Sequence, residues 1–323
     1  MPETGTPLVR GMLRGPEPVR EQHRVAVIGD ALIDEIRDNG ASQDFVGGAG
    51  LNVAVGLSRL GVDTALLAMV GDDADGENIR ATLARYRVRL LASPSRFGTS
   101  RAVSSRVAGE PVYQFNEAAR RRKLSFTDRE RAAIAQAAFV VVSCFPFDDQ
   151  AQVDDLADTV SASGTRLIID SNPRRGTLTD RAVFARNLER LGAISLLVKI
   201  SDDDARLLYD EPIESSSSRM LATGAAIVLA TSGPRGASVT TRDGLTVHAP
   251  IVRLPGAIVD TMGAGDATLA SVVNSLGAAG VPDDDAGWRA ILTEAMEVAA
   301  ATCRSQGGLL QLHGDEKRDR LRG

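Results

Sequence analysis

Short runs of apolar residues recur along this chain, with enough residues between them for a helix each time. The runs are rich in Val, Ile and Leu, which is typical of strands that are buried on both faces. We predict such strands at 24–29, 139–143, 166–170, 194–198 and 226–230. Strands that alternate with helices form parallel sheets covered by helices on both faces, so the sequence predicts an α/β fold.

Other segments add to this sheet or cover it. Residues 63–70 predict a further strand, and 77–88 and 288–304 have helical periodicity. Residues 237–241 and 245–249 flank a short turn and predict a hairpin. The chain therefore has enough elements for one large α/β domain.

A glycine-rich turn precedes a small-residue apolar run near the C-terminus. The turn reads Asp-Thr-Met-Gly-Ala-Gly-Asp from Asp260 to Asp266. Free backbone N–H groups and the helix dipole make such a turn an anion site, here at Gly263, Ala264 and Gly265. Asp266 would then be a carboxylate beside bound negative charge, as a general base in phosphoryl transfer must be. The alternative is that Asp266 only caps the helix.

Composition excludes several other classes of function. The 323 residues carry a formal net charge of −5, which disfavours a nucleic-acid partner. No apolar run is long enough for a membrane-spanning helix, so we expect no membrane partner. Cys144 and Cys303 are too few for a disulfide framework and favour reduced thiols and a cytoplasmic location. Three scattered histidines disfavour a zinc cluster, and no P-loop motif is present.

The stretch from Asp260 to Asp266 resembles the signature of the ribokinase/PfkB family of carbohydrate kinases. The resemblance extends over about residues 24–310 and implies a ribokinase-like three-layer α/β/α sandwich, with a mainly parallel central sheet and a small β-sheet lid. It further implies an ATP-dependent carbohydrate kinase in which Asp266 is the catalytic base. The turn formed by Gly263, Ala264 and Gly265 would be the anion hole.

The same resemblance assigns residues to the sugar. Asp34 matches the second aspartate of a G-D-x-x-x-D segment whose carboxylate accepts bonds from sugar hydroxyls; a solvated loop carboxylate is the alternative. Gly47, Gly48 and Asn52 match a Gly-Gly-x-x-x-Asn turn that holds the sugar, although packing of a helix on the sheet would also explain the glycines. Arg174 ends a D-x-N-x-R segment similar to that of fructokinase-like members, with an Asx turn and a surface arginine as the alternative.

A hairpin is predicted between residues 100–107 and 112–116, where a regular α/β repeat would not place one. The resemblance makes it part of a lid over the sugar, formed by about residues 31–46 and 97–118. Such lids often pair, so a homodimer through the lid is expected. The alternative is an ordinary edge hairpin.

The residues expected to bind the nucleotide match the family's motifs less closely. Lys199, Ser201 and Asp204 lie where the family has an Asn-x-x-Glu segment that holds Mg²⁺ and phosphate through water. Ser201 and Asp204 replace the Asn and the Glu, and Ser201 could equally be an N-cap. The resemblance also implies that Asp260 binds a monovalent cation, which would be K⁺.

Thr231, Gly233 and Gly236 match a Thr-x-Gly-x-x-Gly turn that runs along the nucleotide. Glycines let the backbone approach a ligand closely, but a tight turn between two strands needs them as well. The expected small molecules are therefore ATP with Mg²⁺, a sugar, and K⁺ as a further cation.

We predict a disordered leader at 1–22, the kinase domain at 23–310 and a charged tail at 311–323. The expected acceptor is a ketohexose such as fructose; 2-keto-3-deoxygluconate, ribose and a nucleoside are alternatives of the same fold. Members that act on sugar acids tend to carry an arginine where this chain has Asn116, although Arg101 or Arg174 could supply the charge. A sugar- or nucleotide-binding regulator without turnover is the alternative from another class.

Overall fold

The structure, a computed structural model, describes residues 23–38, 41–107 and 110–312. The predicted leader and nearly all of the predicted tail therefore lie outside the described residues. Within the described part, no helix is both long enough and apolar enough to cross a membrane.

The described residues form two sheets and a set of helices. The strands are β1 (Arg24–Gly29), β2 (Leu32–Asp38), β3 (Ala41–Gly47), β4 (Asp63–Val70), β5 (Arg89–Pro94), β6 (Ser100–Val107), β7 (Glu110–Phe115), β8 (Phe139–Ser143), β9 (Arg166–Asp170), β10 (Leu197–Ser201), β11 (Ile227–Thr231), β12 (Ala237–Thr241) and β13 (Thr246–Ala249). The α-helices are α1 (Ala49–Arg59), α2 (Ala74–Arg85), α3 (Glu117–Arg120), α4 (Asp128–Ala135), α5 (Gln150–Ser163), α6 (Arg181–Gly192), α7 (Asp202–Tyr209), α8 (Ile213–Thr223), α9 (Ala264–Ala279) and α10 (Asp285–Thr302).

The large sheet has nine strands in the order β13-β12-β11-β10-β9-β8-β1-β4-β5. All neighbours from β11 to β5 pair in parallel, and only the β11–β12 and β12–β13 pairs are antiparallel. The carboxyl ends of the parallel strands consequently meet at one edge of the sheet, which is where open α/β sheets bind ligands.

Helices cover both faces of this sheet, as predicted. In β1, Val25 and Val27 join the core cluster that contains residues of α1, α9 and α10, whereas Ala26 and Ile28 join the cluster built with α4 to α8. This alternation follows from the twofold period of side chains along a strand. The result is the predicted three-layer arrangement.

The small sheet has the strand order β3-β2-β6-β7, with β6 and β7 forming the predicted hairpin. Arg101 of β6 connects this sheet to the main body. Its guanidinium contacts Asp44 and Glu35 in the small sheet at 3.0 Å and Asp75 of α2 at 2.9 Å.

Several predicted boundaries are wrong by a few residues. The helix predicted at 77–88 begins at Ala74, because the Asp73 carboxylate caps it by accepting the N–H of Gly76. The strand predicted at 194–198 starts only at Leu197; Ile194 belongs to the turn that closes α6 and is about half exposed. Strand β5 was not predicted.

Candidate active site

The predicted anion turn does begin a helix. Gly263 is the N-cap of α9 and has a left-handed backbone with φ of 76°. A side chain there would also collide with the backbone of Gly308, whose carbonyl oxygen lies 2.0 Å from the position of an added Cβ. Only glycine fits this position. The N–H of Ala264 donates to the Thr261 carbonyl at 3.3 Å, whereas no hydrogen bond from the N–H groups of Gly263 and Gly265 to another described residue is seen, so these two can meet an anion.

Asp266 lies in the first turn of α9 and is buried. Its Oδ2 accepts a hydrogen bond of 2.9 Å from Nδ2 of Asn52, which lies on α1. The Oδ1 of Asn52 is also buried and has no partner within the described residues. Asn52 therefore holds Asp266 through its Nδ2, while its Oδ1 remains able to accept a hydrogen bond from a ligand hydroxyl.

The environment of Asp266 makes it a better base than a free aspartate. Burial, reinforced by repulsion from Asp170, raises the pKa of Asp266 to about 6. The bond from Asn52 and the charges of Lys199 and Arg174 act in the opposite direction. A carboxylate with a pKa near 6 is ionised at neutral pH and accepts a proton more readily than an exposed aspartate.

Asp34 lies on β2, at the junction of the two sheets, and not in a solvated loop. Burial is the main cause that raises its pKa to about 7, and repulsion from Asp30 adds to it. Gly47 leaves room for this carboxylate, since an added Cβ would lie 2.3 Å from Asp34 Oδ2. Gly48, with φ of 105°, is the N-cap of α1.

The charge of Arg174 lowers the pKa of both Asp34 and Asp266, although no hydrogen bond or ion pair joins it to either carboxylate. No hydrogen bond or ion pair joins its guanidinium to another described residue, and it is exposed to a cavity of about 1,000 Å³. The surrounding protein displaces part of the water around its charge, which lowers its pKa, but the neighbouring Cys144, Asp30 and Asp266 raise its pKa by more. Arg174 is thus held charged and uncommitted beside Asp34 and Asp266.

Lys199, by contrast, is held in an ion pair. Its Nζ donates to Asp170 Oδ1 at 2.8 Å, and both side chains are buried. The other oxygen of Asp170 accepts from the Ser143 hydroxyl at 2.9 Å. The Lys199 side chain also packs beside Gly265, because an added Cβ there would lie 3.4 Å from Nζ.

Ser201 and Asp204 form a capping box at the start of α7, so the predicted N-cap alternative describes their geometry. The Ser201 hydroxyl accepts the N–H of Asp204, and Asp204 Oδ2 accepts both the N–H of Ser201 at 2.9 Å and the hydroxyl of Ser171 at 3.1 Å. Burial raises the pKa of Asp204. No bond to Asp204 Oδ1 is seen from the described residues, so this oxygen could still face a hydrated cation.

Thr231 ends β11, and Gly233 and Gly236 flank a short 3₁₀ turn that leads into β12. Gly236 has φ of 93°, and an added Cβ would lie 2.2 Å from the carbonyl oxygen of Ala249. The turn therefore requires glycine for its own geometry. It lies at the same edge as Ser201, because Thr231 pairs with Ser201 across the sheet.

Asp260 acts as a loop cap. Its two carboxylate oxygens accept the N–H groups of Met262 at 3.0 Å and of Gly307 at 3.2 Å. Among the residues that the structure describes, no cluster of three or more His, Cys, Asp or Glu could hold a metal ion by itself. A Mg²⁺ ion bound mainly by phosphates and water needs no such cluster.

With this geometry established, comparison with known proteins decides the family. The model of the pfkB family carbohydrate kinase matches residues 22–313, which is most of the chain. The chain belongs to the pfkB family of carbohydrate kinases. The predicted family, the enzyme class of ATP-dependent carbohydrate kinase and the ribokinase-like fold are thereby confirmed.

Similar proteins share most of the length of this pfkB chain. A fructokinase of Klebsiella pneumoniae is 28% identical over 90% of this chain and 96% of its own. The structure of a fructokinase with bound ATP from Xylella fastidiosa matches with a TM-score of 0.76 at 21% identity, covering 89% of this chain and 94% of that one. A double mutant of the Vibrio cholerae O395 fructokinase, in a fructose-, ADP- and potassium-bound form, matches with a TM-score of 0.74, 21% identity and the same coverage.

Asn116, which the resemblance places where members that act on sugar acids tend to carry an arginine, has a structural role in this pfkB kinase. It is the N-cap of α3: its Oδ1 accepts the N–H groups of Ala119 and Arg101, and its Nδ2 donates to the Thr99 carbonyl. These bonds use both lone pairs of Oδ1 and one of the two N–H donors of Nδ2, so most of the amide is committed to the protein.

Sequence reasoning missed the contribution of the segment after α10. An added Cβ on Gly308 would lie 2.4 Å from Nδ2 of Asn52, and one on Gly307 would lie 3.2 Å from the Phe45 ring. These two glycines let the chain close over Asn52 and the anion turn. The pair Gly-Gly at 307–308 was the available signal, but nothing near it in the sequence points to the site.

Proposed function

We propose that this pfkB kinase transfers the γ-phosphoryl group of ATP to a hydroxyl of a ketohexose, with fructose as the first acceptor to test. The observation that carries the proposal is the Asp266 carboxylate. It is buried at the N-terminal turn of α9, fixed by Asn52, and its pKa of about 6 suits a base at neutral pH.

The proposed reaction follows from the position of Asp266. The acceptor hydroxyl gives its proton to Asp266 as its oxygen forms a bond to the γ-phosphorus. The bond between that phosphorus and the oxygen it shares with the β-phosphate breaks, and ADP leaves with the electron pair. The backbone N–H groups of the turn at Gly263, Ala264 and Gly265 stabilise the charge on the transferred group.

The sugar would be held on the acceptor side of the base. Asp34 would accept bonds from hydroxyls, and Asn52 Oδ1 would accept another, which would satisfy its unpaired lone pairs. Gly47 keeps the space beside Asp34 and Asn52 free of a side chain, and Gly48 lets the backbone pass close to Asp30. Arg174, which has no direct protein partner, would donate to an acceptor oxygen or to the phosphoryl group.

The nucleotide would lie along the edge formed by Lys199, Ser201 and the turn at Thr231, Gly233 and Gly236. Lys199 would contribute positive charge near the phosphates, although its bond to Asp170 keeps it in place. Mg²⁺ would neutralise the phosphates, with the free oxygen of Asp204 holding one of its waters. Asp260 and K⁺ would order the anion turn, since the Asp260 carboxylate already joins that loop to Gly307.

The fructokinase of Klebsiella pneumoniae supports fructose as the acceptor, because its similarity to this chain covers 96% of its own length. A nucleoside is disfavoured by the state of Phe97. Of the three phenylalanines that line the cavity, Phe145 and Phe184 are buried and only Phe97 is partly exposed. The Arg96 and Arg121 guanidinium groups lie 4.7 and 5.4 Å from its centroid, so the ring is covered and cannot readily stack on a base.

The test is an ATP-coupled assay of the purified protein with fructose, 2-keto-3-deoxygluconate, ribose and adenosine. We expect fructose to have a higher kcat/KM than 2-keto-3-deoxygluconate, ribose or adenosine. A preference for any of these three would refute the ketohexose proposal, and no turnover of any acceptor would favour the regulator.

A further inference from the structure

Arg122 carries a buried positive charge in the segment that leaves the small sheet. It lies two residues after the end of α3, and its side chain is only 8% exposed. An arginine is almost never buried unless its charge is paired. The contacts of Arg122 therefore show what this charge is used for.

The guanidinium of Arg122 lies between the carboxyl ends of β1 and β8. Its Nη1 lies 3.7 Å from Asp30 Oδ2, and its Nη2 donates to the carbonyl oxygen of Cys144. Cys144 has a left-handed backbone with φ of 52°, which a residue other than glycine keeps only where its surroundings hold it. Arg122 thus joins two strand ends at the edge of the sheet that carries the site.

Asp30 continues this connection to α1. Its Oδ1 accepts the N–H of Gly50 at 3.0 Å, and its carbonyl oxygen accepts the N–H of Leu51 at 3.0 Å. The N-cap of α1, Gly48, has no side chain that could accept an N–H group. Asp30 therefore caps this helix from a neighbouring element, and the position of the first turn of α1 depends on where the Asp30 carboxylate lies.

The first turn of α1 in turn places Asn52 against the proposed base. The N–H of Asn52 donates to the Gly48 carbonyl at 2.8 Å, and its Nδ2 donates to Asp266 Oδ2 at 2.9 Å. A displacement of this turn would move both the amide that fixes Asp266 and the unpartnered Oδ1 of Asn52. A shift of about 1 Å in such a contact can lower a rate by about 10²-fold.

The backbone before Arg122 is tied to the small sheet. Asn116, the N-cap of α3, donates to the Thr99 carbonyl and accepts the N–H of Arg101 on β6. Arg101 is paired with Asp75 of α2 at 2.9 Å, which fixes the small sheet to the main body. The small sheet therefore sets the position of Arg122.

We propose that Arg122 is a positioning residue for the phosphoryl transfer: it holds the Asp30 carboxylate so that the first turn of α1 presents Asn52 to the base and to the acceptor. This inference rests on the proposed function and adds to it a residue that does not touch the reacting atoms. Arginine suits this role because its planar guanidinium reaches a carboxylate and a carbonyl at once, whereas lysine offers a single compact charge.

The experiment compares the wild type with Arg122→Met, Arg122→Lys and the control Arg131→Met. Arg131 also contacts a carboxylate and a backbone carbonyl, those of Asp155 and Phe126, but on α4 and outside the site. The measured quantities are kcat and the KM values for fructose and ATP. Urea unfolding gives the folded fraction of each variant, by which kcat is corrected.

We expect Arg122→Met to raise the KM for fructose and to lower the corrected kcat, each by about tenfold or more, because the acceptor and the base are both misaligned. The KM for ATP should stay within about twofold of the wild type. Arg122→Lys should recover part of both losses, since it restores the charge beside Asp30. Arg131→Met should lower the free energy of unfolding and leave the KM values and the corrected kcat unchanged.

A second pair of variants covers the case in which Arg122→Met folds poorly. Asparagine at position 30 can still accept the N–H of Gly50 but has no charge that needs a cation. In an Asp30→Asn background, the further change Arg122→Met should therefore alter kcat/KM for fructose by at most about twofold. A loss of about tenfold or more in this background would overturn the inference, because Arg122 would then act other than through Asp30.

The inference would also be overturned if Arg122→Met and Arg122→Lys kept the KM values and the corrected kcat of the wild type, since a loss of stability alone is a structural effect. Failure of the proposed function shows in the wild type instead, as a preference for 2-keto-3-deoxygluconate, ribose or adenosine. Arg122 is then tested in the same way with the preferred acceptor.

Discussion

The two sides of the candidate site use their charged residues in opposite ways. On the nucleotide side, Lys199 and Asp170 form a buried ion pair, and Asp204 accepts two hydrogen bonds from serines. On the acceptor side, Arg174 has no direct partner among the described residues, and the pKa of Asp34 is raised to about 7. The cation on the nucleotide side is paired by the protein itself, whereas the cation on the acceptor side is left for a ligand.

This difference has a physical meaning. Unpaired charges next to one another destabilise the free protein, and a ligand that supplies their partners recovers that free energy on binding. The paired charges stabilise the scaffold and change little when a ligand arrives. We therefore expect substitutions on the nucleotide side to affect folding, and those on the acceptor side to affect activity.

The largest effect is expected at Asp266, which lies between the two sides. Asp266→Asn keeps the shape of the side chain and its place next to Asn52 but removes the base. It should lower kcat by about 10²- to 10⁴-fold and leave ATP binding largely intact. Steady-state kinetics with fructose and a separate ATP titration measure both. Turnover close to that of the wild type would exclude Asp266 as the base.

Substitutions of Lys199 and Arg174 test this difference between the two sides directly, through the stability of the protein. Lys199→Met leaves Asp170 charged and buried without its partner, which should lower the free energy of unfolding by about 3–5 kcal/mol. Arg174→Met removes a cation that is exposed to cavity water and should cost at most about 1 kcal/mol. Urea unfolding of both variants provides the measurement. Equal losses would show that the two sides do not differ.

The two sides of the site also differ in how much of their structure could be predicted from the sequence. The apolar runs and the glycine turns were enough to predict the layers, the anion turn and the position of Asp266, because these depend on local periodicity and backbone conformation. Whether a charged side chain is paired depends on contacts between distant segments. The Lys199–Asp170 pair and the free guanidinium of Arg174 therefore became visible only in the fold.

Asn116 shows the same limit at a single residue. The resemblance places it where members that act on sugar acids tend to carry an arginine, but its amide caps α3 and ties that helix to the backbone at Thr99 and Arg101. Capping and ligand binding use the same donors and acceptors. A sequence pattern alone cannot distinguish these two uses.

A smaller effect, with opposite signs for stability and function, is expected at Asp34. In the folded protein its pKa is about 7, compared with an ordinary value of 3.8, so the protonated form stabilises the wild type at low pH. That contribution is complete below about pH 4 and is lost as the pH rises through 7. Asp34→Asn does not titrate and should be more stable than the wild type by roughly 1–4 kcal/mol at pH 8, with little difference at pH 4.

Thermal or urea unfolding at several pH values measures this difference, and kinetics measure its functional counterpart. The KM for the sugar should rise about tenfold or more in Asp34→Asn, with little change in the KM for ATP. A variant that is less stable than the wild type at pH 8 would contradict the interpretation of Asp34 as an unpaired ligand-binding charge.

The smallest effect is expected at Asp260. Because its carboxylate caps the backbone at Met262 and Gly307, Asp260→Ala should cost about 1 kcal/mol of stability. We also expect K⁺ to stimulate the wild type more than Na⁺ does, and this stimulation to be lost in the variant. Activity that is indifferent to K⁺ would leave Asp260 as a loop cap alone.

The most direct test of the proposed base and of the unpaired acceptor side is the pH dependence of kcat/KM for the sugar. Two carboxyl groups must lose their protons in the free enzyme: Asp266, with a pKa of about 6, and Asp34, with a pKa of about 7. We expect log kcat/KM to fall with a slope of about one below pH 7 and about two below pH 6. In Asp34→Asn only the slope of about one, beginning near pH 6, should remain. A wild-type profile that is flat from about pH 5 to 8 would contradict both assignments.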